Sequence, residues 1–196
     1  MMKIATLAAL SLMLISGEPD WKLEKDSDGI KVYLAKAENS SIKQFKVEAF
    51  IEATPKEIVD AVVDIENNHK WFVSVEKGKL VERISPNEFI FSQVIEVPFP
   101  FQDRQVVQNT KVTNLENGVL RIDLNSISDA LEVDNDYVRM TLATGYWILT
   151  PTAEGTDLEY SFLADPAGNI PAWLANQFIV DNPLKTIKGL REYIDD

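Results

Sequence analysis

Apolar and polar positions alternate along the chain from Ile42 onward. Phe45, Val47, Ala49 and Ile51 fall on one parity, and Gln44, Lys46 and Glu48 fall on the other, the period of two that marks a half-buried strand. The pattern returns at Leu120, Ile122 and Leu124 against Arg121, Asp123 and Asn125. It returns again at Leu158, Tyr160 and Phe162 against Asp157, Glu159 and Ser161. Further strands are predicted over 30–36, 79–84, 88–97, 104–112 and 138–150, separated by turn signals such as Ser85-Pro86-Asn87, Glu116-Asn117-Gly118 and Glu154-Gly155. Strands with a single apolar face predict an antiparallel sheet that is wet on the other side.

Two segments switch to helical spacing. In Ala53-Thr54-Pro55-Lys56-Glu57, Thr54 can cap, Pro55 suits the first helical position and Glu57 completes a capping box, after which Ile58, Ala61, Val62 and Ile65 recur at helical intervals. The second helix is predicted over about 171–194, with Trp173, Val180, Leu184, Ile187, Leu190 and Ile194 on one stripe. Pro183 inside it predicts a kink or a split into two helices. Strands, a short helix, a long run of strands and a terminal helix make an α+β chain.

The first residues read differently. Met1, Met2 and Lys3 precede an uncharged run over 4–15, and then Ser16, Gly17 and Glu18, the layout of a secretory signal peptide. Twelve uncharged residues span about 18 Å as a helix, short of the roughly 30 Å hydrocarbon core. We therefore expect a signal segment over 1–17, one domain over 18–196, and a soluble exported protein, periplasmic or secreted. An N-terminally anchored form is the alternative.

Composition narrows the classes. The 196 residues are 45% hydrophobic, with 9 Phe, 5 Tyr and 4 Trp to supply a core. There is no Cys, which removes disulfides, thiol chemistry and a lipid-attachment thiol. A net charge of −12 repels phosphate backbones, so nucleic acid is not an expected partner, and it disfavours permanent residence on anionic membranes.

A twisted sheet of seven or more strands curls, and a long helix laid across its concave side touches the rims before it fills the middle. The middle is a candidate ligand cavity: an enclosed apolar void of roughly 300 Å³ or more there distinguishes a ligand-binding protein from a purely structural domain with a filled core. Ala143 and Gly145 put small residues beside Trp147, and Arg104 shares its strand parity with Val106 and Val112. A guanidinium on an apolar face needs an internal carboxylate or a polar group of a ligand, unless it bends out to solvent at the strand end.

Three motifs carry a resemblance to the START family, the steroidogenic-acute-regulatory-related lipid-transfer domains, over about residues 21–191. They are Asp64 followed by Lys70-Trp71; Pro98-Phe99-Pro100-Phe101-Gln102-Asp103-Arg104; and Asp165-Pro166-Ala167-Gly168-Asn169-Ile170-Pro171-Ala172-Trp173 leading into the terminal helix. The last is the most specific. The resemblance implies a helix-grip fold: a curved antiparallel sheet wrapped around the terminal helix, enclosing one lipid or sterol-like molecule. The chain departs from the family at Gln105, where a second Asp is common, and at Ala167, where Gly is common.

The candidate ligand-contacting residues are Trp71, Phe72, Phe91, Arg104, Val106, Arg139, Gly145, Trp147, Trp173 and Phe178, with Arg104 and Arg139 at the polar head. Asp165, Gly168 and Ile170 form the candidate gate, whose movement lifts Trp173. Phe99 and Phe101, set among prolines, are candidates for transient membrane contact or for folding back onto the core. One histidine, His69, and no Cys cannot make a zinc site, and the acidic run Asp129, Glu132, Asp134 and Asp136 lacks the glycine and terminal Glu of a calcium loop. No cofactor, catalytic group or metal is expected. The expectation is a monomeric, non-enzymatic carrier of one hydrophobic molecule, with phospholipid, sterol-like, fatty-acid and hopanoid cargoes all open. A cyclase or aromatase acting on a polyketide-type chain in the same cavity is the alternative.

Overall fold

The computed structural model describes residues 19–37, 42–127, 131–132, 136–168 and 170–196. The predicted signal segment, Asn169 of the gate motif, and Asp129 and Asp134 of the acidic run lie outside them. In chain order the strands are β1 (Lys22–Ser27), β2 (Ile30–Lys36), β3 (Lys43–Ile51), β4 (Val75–Ser85), β5 (Glu88–Ile95), β6 (Arg104–Asn114), β7 (Leu120–Ser126), β8 (Val138–Arg139), β9 (Leu142–Pro151) and β10 (Thr156–Asp165). The helices are α1 (Pro55–Val63), between β3 and β4, and α2 (Ala172–Asp195), at the C-terminal end.

The strands join one sheet in the order β1-β2-β3-β10-β9-β7-β6-β5-β4, every neighbour antiparallel. Three features differ from the sequence reading. β1 was not predicted, because its sequence KLEKDS has no apolar parity; it is a charged edge strand, and charge on an edge blocks pairing with other chains. The predicted strand over 138–150 divides at Met140. β8 pairs in parallel with the start of β6, whereas β9 pairs with β7 and β10. Finally, α2 runs unbroken through Pro183 instead of splitting.

The first helix starts as its sequence dictates. The Glu57 amide donates to Thr54 Oγ1 at 3.3 Å, and the Thr54 amide donates to Glu57 Oε2 at 2.8 Å, satisfying two amide donors that a helix start leaves open. Ile58, Ala61 and Val62 turn inward against β7, β9 and α2. The C-terminal half of α2 buries Leu184, Ile187 and Leu190 against the sheet, each contributing about 2 kcal/mol of hydrophobic free energy. Gly189 lets the helix close on residue 71: a Cβ there would stand 2.6 Å from the Trp71 carbonyl oxygen. This half of the core is solid, with Tyr160 stacked on Trp147 at 4.0 Å between ring centroids. Under the other half of α2 the sheet is not filled.

Candidate functional site

Two neighbouring cavities lie against the sheet, one under α1 and one under the N-terminal half of α2. The inner chamber, about 150 Å³, lies between α1 and the inner faces of β5, β6, β9 and β10, and Val62, Phe72, Phe91, Val106, Leu124, Met140, Trp147 and Phe162 line it. The vestibule, about 550 Å³ and open to solvent, lies under the N-terminal half of α2, with Ile42, Val97, Pro98, Arg104, Ile170, Leu174, Phe178 and Ile179 among its walls. Ile95, Met140 and Ala164 line both, so the two cavities meet at these side chains. The inner chamber alone is below the range of small-molecule pockets, and the vestibule lies within it. A third depression of about 430 Å³ on the outer face of the sheet is lined by Lys31, Glu48, Asp157 and Glu159 and has no comparable apolar wall. On that face the Tyr146 hydroxyl donates to Glu159 Oε1 at 2.7 Å; burial, then that bond, pushes its pKa up to about 12.

Arg104 opens β6 on its inward face and is 2% exposed. No carboxylate pairs with its guanidinium among the described residues. Its Nε donates to the Pro166 carbonyl at 2.7 Å, Nη2 to the Ala167 carbonyl at 3.1 Å, and Nη1 to the Gln102 carbonyl. Burial pulls its pKa down, with Asp103 opposing, yet a guanidinium remains charged at any physiological pH. The fork therefore ties the loop after β10 to the start of β6, directly at the vestibule wall. Within the loop the Ala167 amide donates to Asp165 Oδ1 at 2.9 Å, and Ala167 and Gly168 take φ of 55° and 64°. A Cβ on Gly168 would lie 3.3 Å from Arg104 Nη2. Gate and arginine are thus one assembly.

The predicted site residues separate accordingly. Phe72, Phe91, Val106 and Trp147 line the chamber, and Arg104, Phe178 and Ile170 line the vestibule. The remaining six line neither cavity: Asp165 and Gly168 lie in the gate loop described above, and the other four are placed as follows. Trp71 is buried in the core against Phe72, with its carbonyl under Gly189. Arg139 holds the chain that precedes β8: its Nη2 donates to Gln105 Oε1 at 2.9 Å and to the Leu131 and Glu132 carbonyls at 3.0 and 3.1 Å. Gln105, the departure from the family pattern, is its acceptor. Gly145 leaves no opening, because the room above it is taken by Ser161 and Phe162 of β10. Trp173 is 69% exposed: adjacent helical positions differ by about 100°, so with Leu174 and Phe178 lining the vestibule it faces elsewhere.

Other residues were missed. Met140 lines both cavities, and Asn68, Gln93, Gln108 and Thr110 put polar groups in the chamber wall. The signal was present in parity: Gln93 follows Phe89 and Phe91 on β5, and Gln108 and Thr110 follow Arg104 and Val106 on β6. His69 is exposed, and its Nδ1 bonds the Glu66 carbonyl at 2.9 Å. No group of three or more metal-binding side chains occurs among the described residues, and no described helix is long and apolar enough to cross a membrane.

A curved antiparallel sheet gripping a terminal helix, with two adjacent apolar-lined cavities between the sheet and the helices, defines the helix-grip class of folds. The START domain family model matches residues 2–194, and the chain belongs to that family. It is 32% identical over 190 residues to an uncharacterised protein of Pseudomonas aeruginosa, covering 95% of this chain and 94% of that one. The crystal structure of a STAR-related lipid transfer protein fragment from Xanthomonas axonopodis superposes with a TM-score of 0.84 at 31% identity, covering 90% of this chain and 99% of that one. The phosphatidylcholine transfer protein of Mus musculus is 22% identical over 180 residues, covering 80% and 75% of the two chains.

Proposed function

We propose that this protein encloses one lipid or other hydrophobic molecule and carries it, as a monomer, without altering it chemically. The observation that carries this reading is the pair of adjacent cavities, meeting at Ile95, Met140 and Ala164, of which the outer lies beneath a loop held by Arg104. Apolar contact at about 25 cal/mol per Å² provides affinity, and exchange requires the loop to open. The two relatives described as lipid transfer proteins support the class of cargo.

The protein is further proposed to be exported and to touch membranes briefly. Phe99, 96% exposed beside the vestibule residue Pro98, and Trp173 beside Leu174 are its contact points. Native mass spectrometry of protein purified from its own host is expected to show one bound lipid mass per chain. No bound lipid, together with no binding from a lipid panel, overturns the carrier reading. Turnover of an offered polyketide chain, lost on substituting Arg104, moves it to the cyclase class. Fractionation of host cells tests export.

A further inference from the structure

We propose that the outer face of the sheet carries a second binding site, for a short neutral oligosaccharide. It lies on the side of the sheet away from the two cavities and is independent of the carrier reading.

The depression of about 430 Å³ on that face is within the range of small-molecule sites. Strand register builds it from two rows. Lys31 of β2, Glu48 of β3, Glu159 of β10 and Ile148 of β9 stand side by side, and Phe50, Asp157 and Thr150 form the next row. Four neighbouring strands span about 14 Å, and successive residues on one face of a strand are about 7 Å apart, so the rows make a shallow, elongated footprint. Between the rows, Ala49 and Leu158 turn their side chains into the core, which leaves backbone as the floor. A chain of linked sugar rings fits such a trough, whereas a compact ligand leaves half of it empty.

Two carboxylates of the wall are oriented by the protein itself. Glu48 Oε2 accepts from the Tyr33 hydroxyl at 2.9 Å, and its Oε1 accepts from Lys46 Nζ at 2.7 Å. Glu159 Oε1 accepts from the Tyr146 hydroxyl at 2.7 Å, and Lys46 Nζ stands 3.8 Å from its Oε2. Burial raises the Glu48 pKa, but the bonds from Lys46 and Tyr33 outweigh it, so the group lies below the usual carboxylate value and is ionised at neutral pH. Each carboxylate oxygen retains a lone pair for one more donor. Lys31, Asp157 and Thr150 are exposed, and their side chains make no hydrogen bond or ion pair among the described residues. The half-buried Phe50 and Ile148 complete the wall.

The trough thus holds fixed acceptors at Glu48 and Glu159, a free acceptor at Asp157, free donors at Lys31 and Thr150, and an apolar surface at Phe50 and Ile148. A sugar ring presents hydroxyls that donate and accept around its rim and C–H groups on its face, so it complements all three kinds. A lipid tail would strip water from the charged groups without replacing its hydrogen bonds. Lys31 and Lys46 offset two of the three carboxylates, so a polycation finds little net field in the trough.

The test titrates maltotriose, cellotriose, triacetylchitotriose and trilysine onto the ¹⁵N-labelled protein and follows the amide resonances. At least one trisaccharide is expected to shift the amides of residues 29–31, 48–50, 148–150 and 157–159 saturably, and to leave those lining the chamber and vestibule in place. The double substitution Lys31→Ala and Asp157→Ala breaks no hydrogen bond or ion pair among the described residues. It is expected to weaken the sugar at least tenfold while melting temperature and lipid binding stay unchanged, which reports that the fold survives. No saturable shift with any of the three sugars, shifts centred on the cavities, tighter binding of trilysine to the same amides, or undiminished sugar binding in the double variant overturns the proposal. None of these results touches the carrier reading, which stands or falls on bound lipid.

Discussion

Arg104 Nη2 donates to the carbonyl oxygen of Ala167, 63 residues away, at 3.1 Å, and the residue it holds has the left-handed φ of 55°. A buried cation thus spends its donors on backbone carbonyls, two of them in the gate loop. Substituting Arg104→Lys keeps the charge but loses the planar fork. Ligand exchange is expected to accelerate about tenfold, with a stability loss of about 2 kcal/mol from the hydrogen bonds removed. Amide hydrogen exchange localised to residues 165–168 checks the first, and urea unfolding checks the second. Unchanged protection in that loop would show that Arg104 does not hold it.

Ala167 carries the opposite expectation. A left-handed φ costs a residue with a Cβ about 1 kcal/mol, and glycine avoids that cost. Ala167→Gly therefore stabilises the closed loop and slows release of a bound fluorescent fatty acid by a fewfold, measured by stopped-flow transfer to vesicles. Faster release in this variant would mean that loop flexibility outweighs the relief of strain.

Gly189 tests the packing of the terminal helix. With the Trp71 carbonyl oxygen 2.6 Å from where its Cβ would stand, Gly189→Ala pushes α2 off the backbone at residue 71. A loss of about 2 kcal/mol is expected from overpacking, read as a lower urea midpoint. The higher helix propensity of alanine returns under about 1 kcal/mol and does not reverse the sign.

Phe99 and Trp173 separate binding from delivery. Phe99→Ser combined with Trp173→Ser removes two exposed apolar side chains that line no cavity. Affinity and melting temperature are expected to stay within error, while transfer between vesicles slows about tenfold. Equal transfer rates would locate the membrane contact elsewhere.

Acid acts at the seam between the β1–β2 turn and α2. Lys188 bonds the Asp28 carboxylate, Ser27 donates a second hydrogen bond, and Arg191 Nη1 donates to the Asp28 carbonyl at 2.9 Å. The bond from Lys188 lowers the Asp28 pKa below its usual 3.8. With the folded value depressed, the contribution is present above about pH 4 and disappears as pH falls through the folded pKa. Asp28→Asn lacks that contribution at every pH, so its melting temperature is expected to fall less than that of the parent between pH 6 and pH 3. An identical fall would show that the pair adds nothing.

The parts of the fold that local chemistry decides could be read along the chain. The capping box of Thr54 and Glu57, the two-residue alternation from Phe45 to Ile51 and the buried stripe Leu184, Ile187, Leu190 all depend on neighbours a few residues apart. The edge strand β1 was not legible, since a strand that buries nothing leaves no apolar parity. Within the site, Phe72, Phe91, Val106 and Trp147 were found as inward aromatic or apolar positions. Trp71 and Trp173 have the same character and face other things.

By itself the sequence determined the α+β order, the inward faces of the strands, the family, and an arginine placed on an apolar face. The tertiary structure alone decided that Arg104 bonds the gate loop, that Arg139 braces the chain before β8, and that four neutral polar side chains converge in one chamber. The reason is physical: parity and periodicity record whether a side chain is turned inward, whereas its partner depends on register between strands distant in sequence and on where α2 leaves the sheet uncovered.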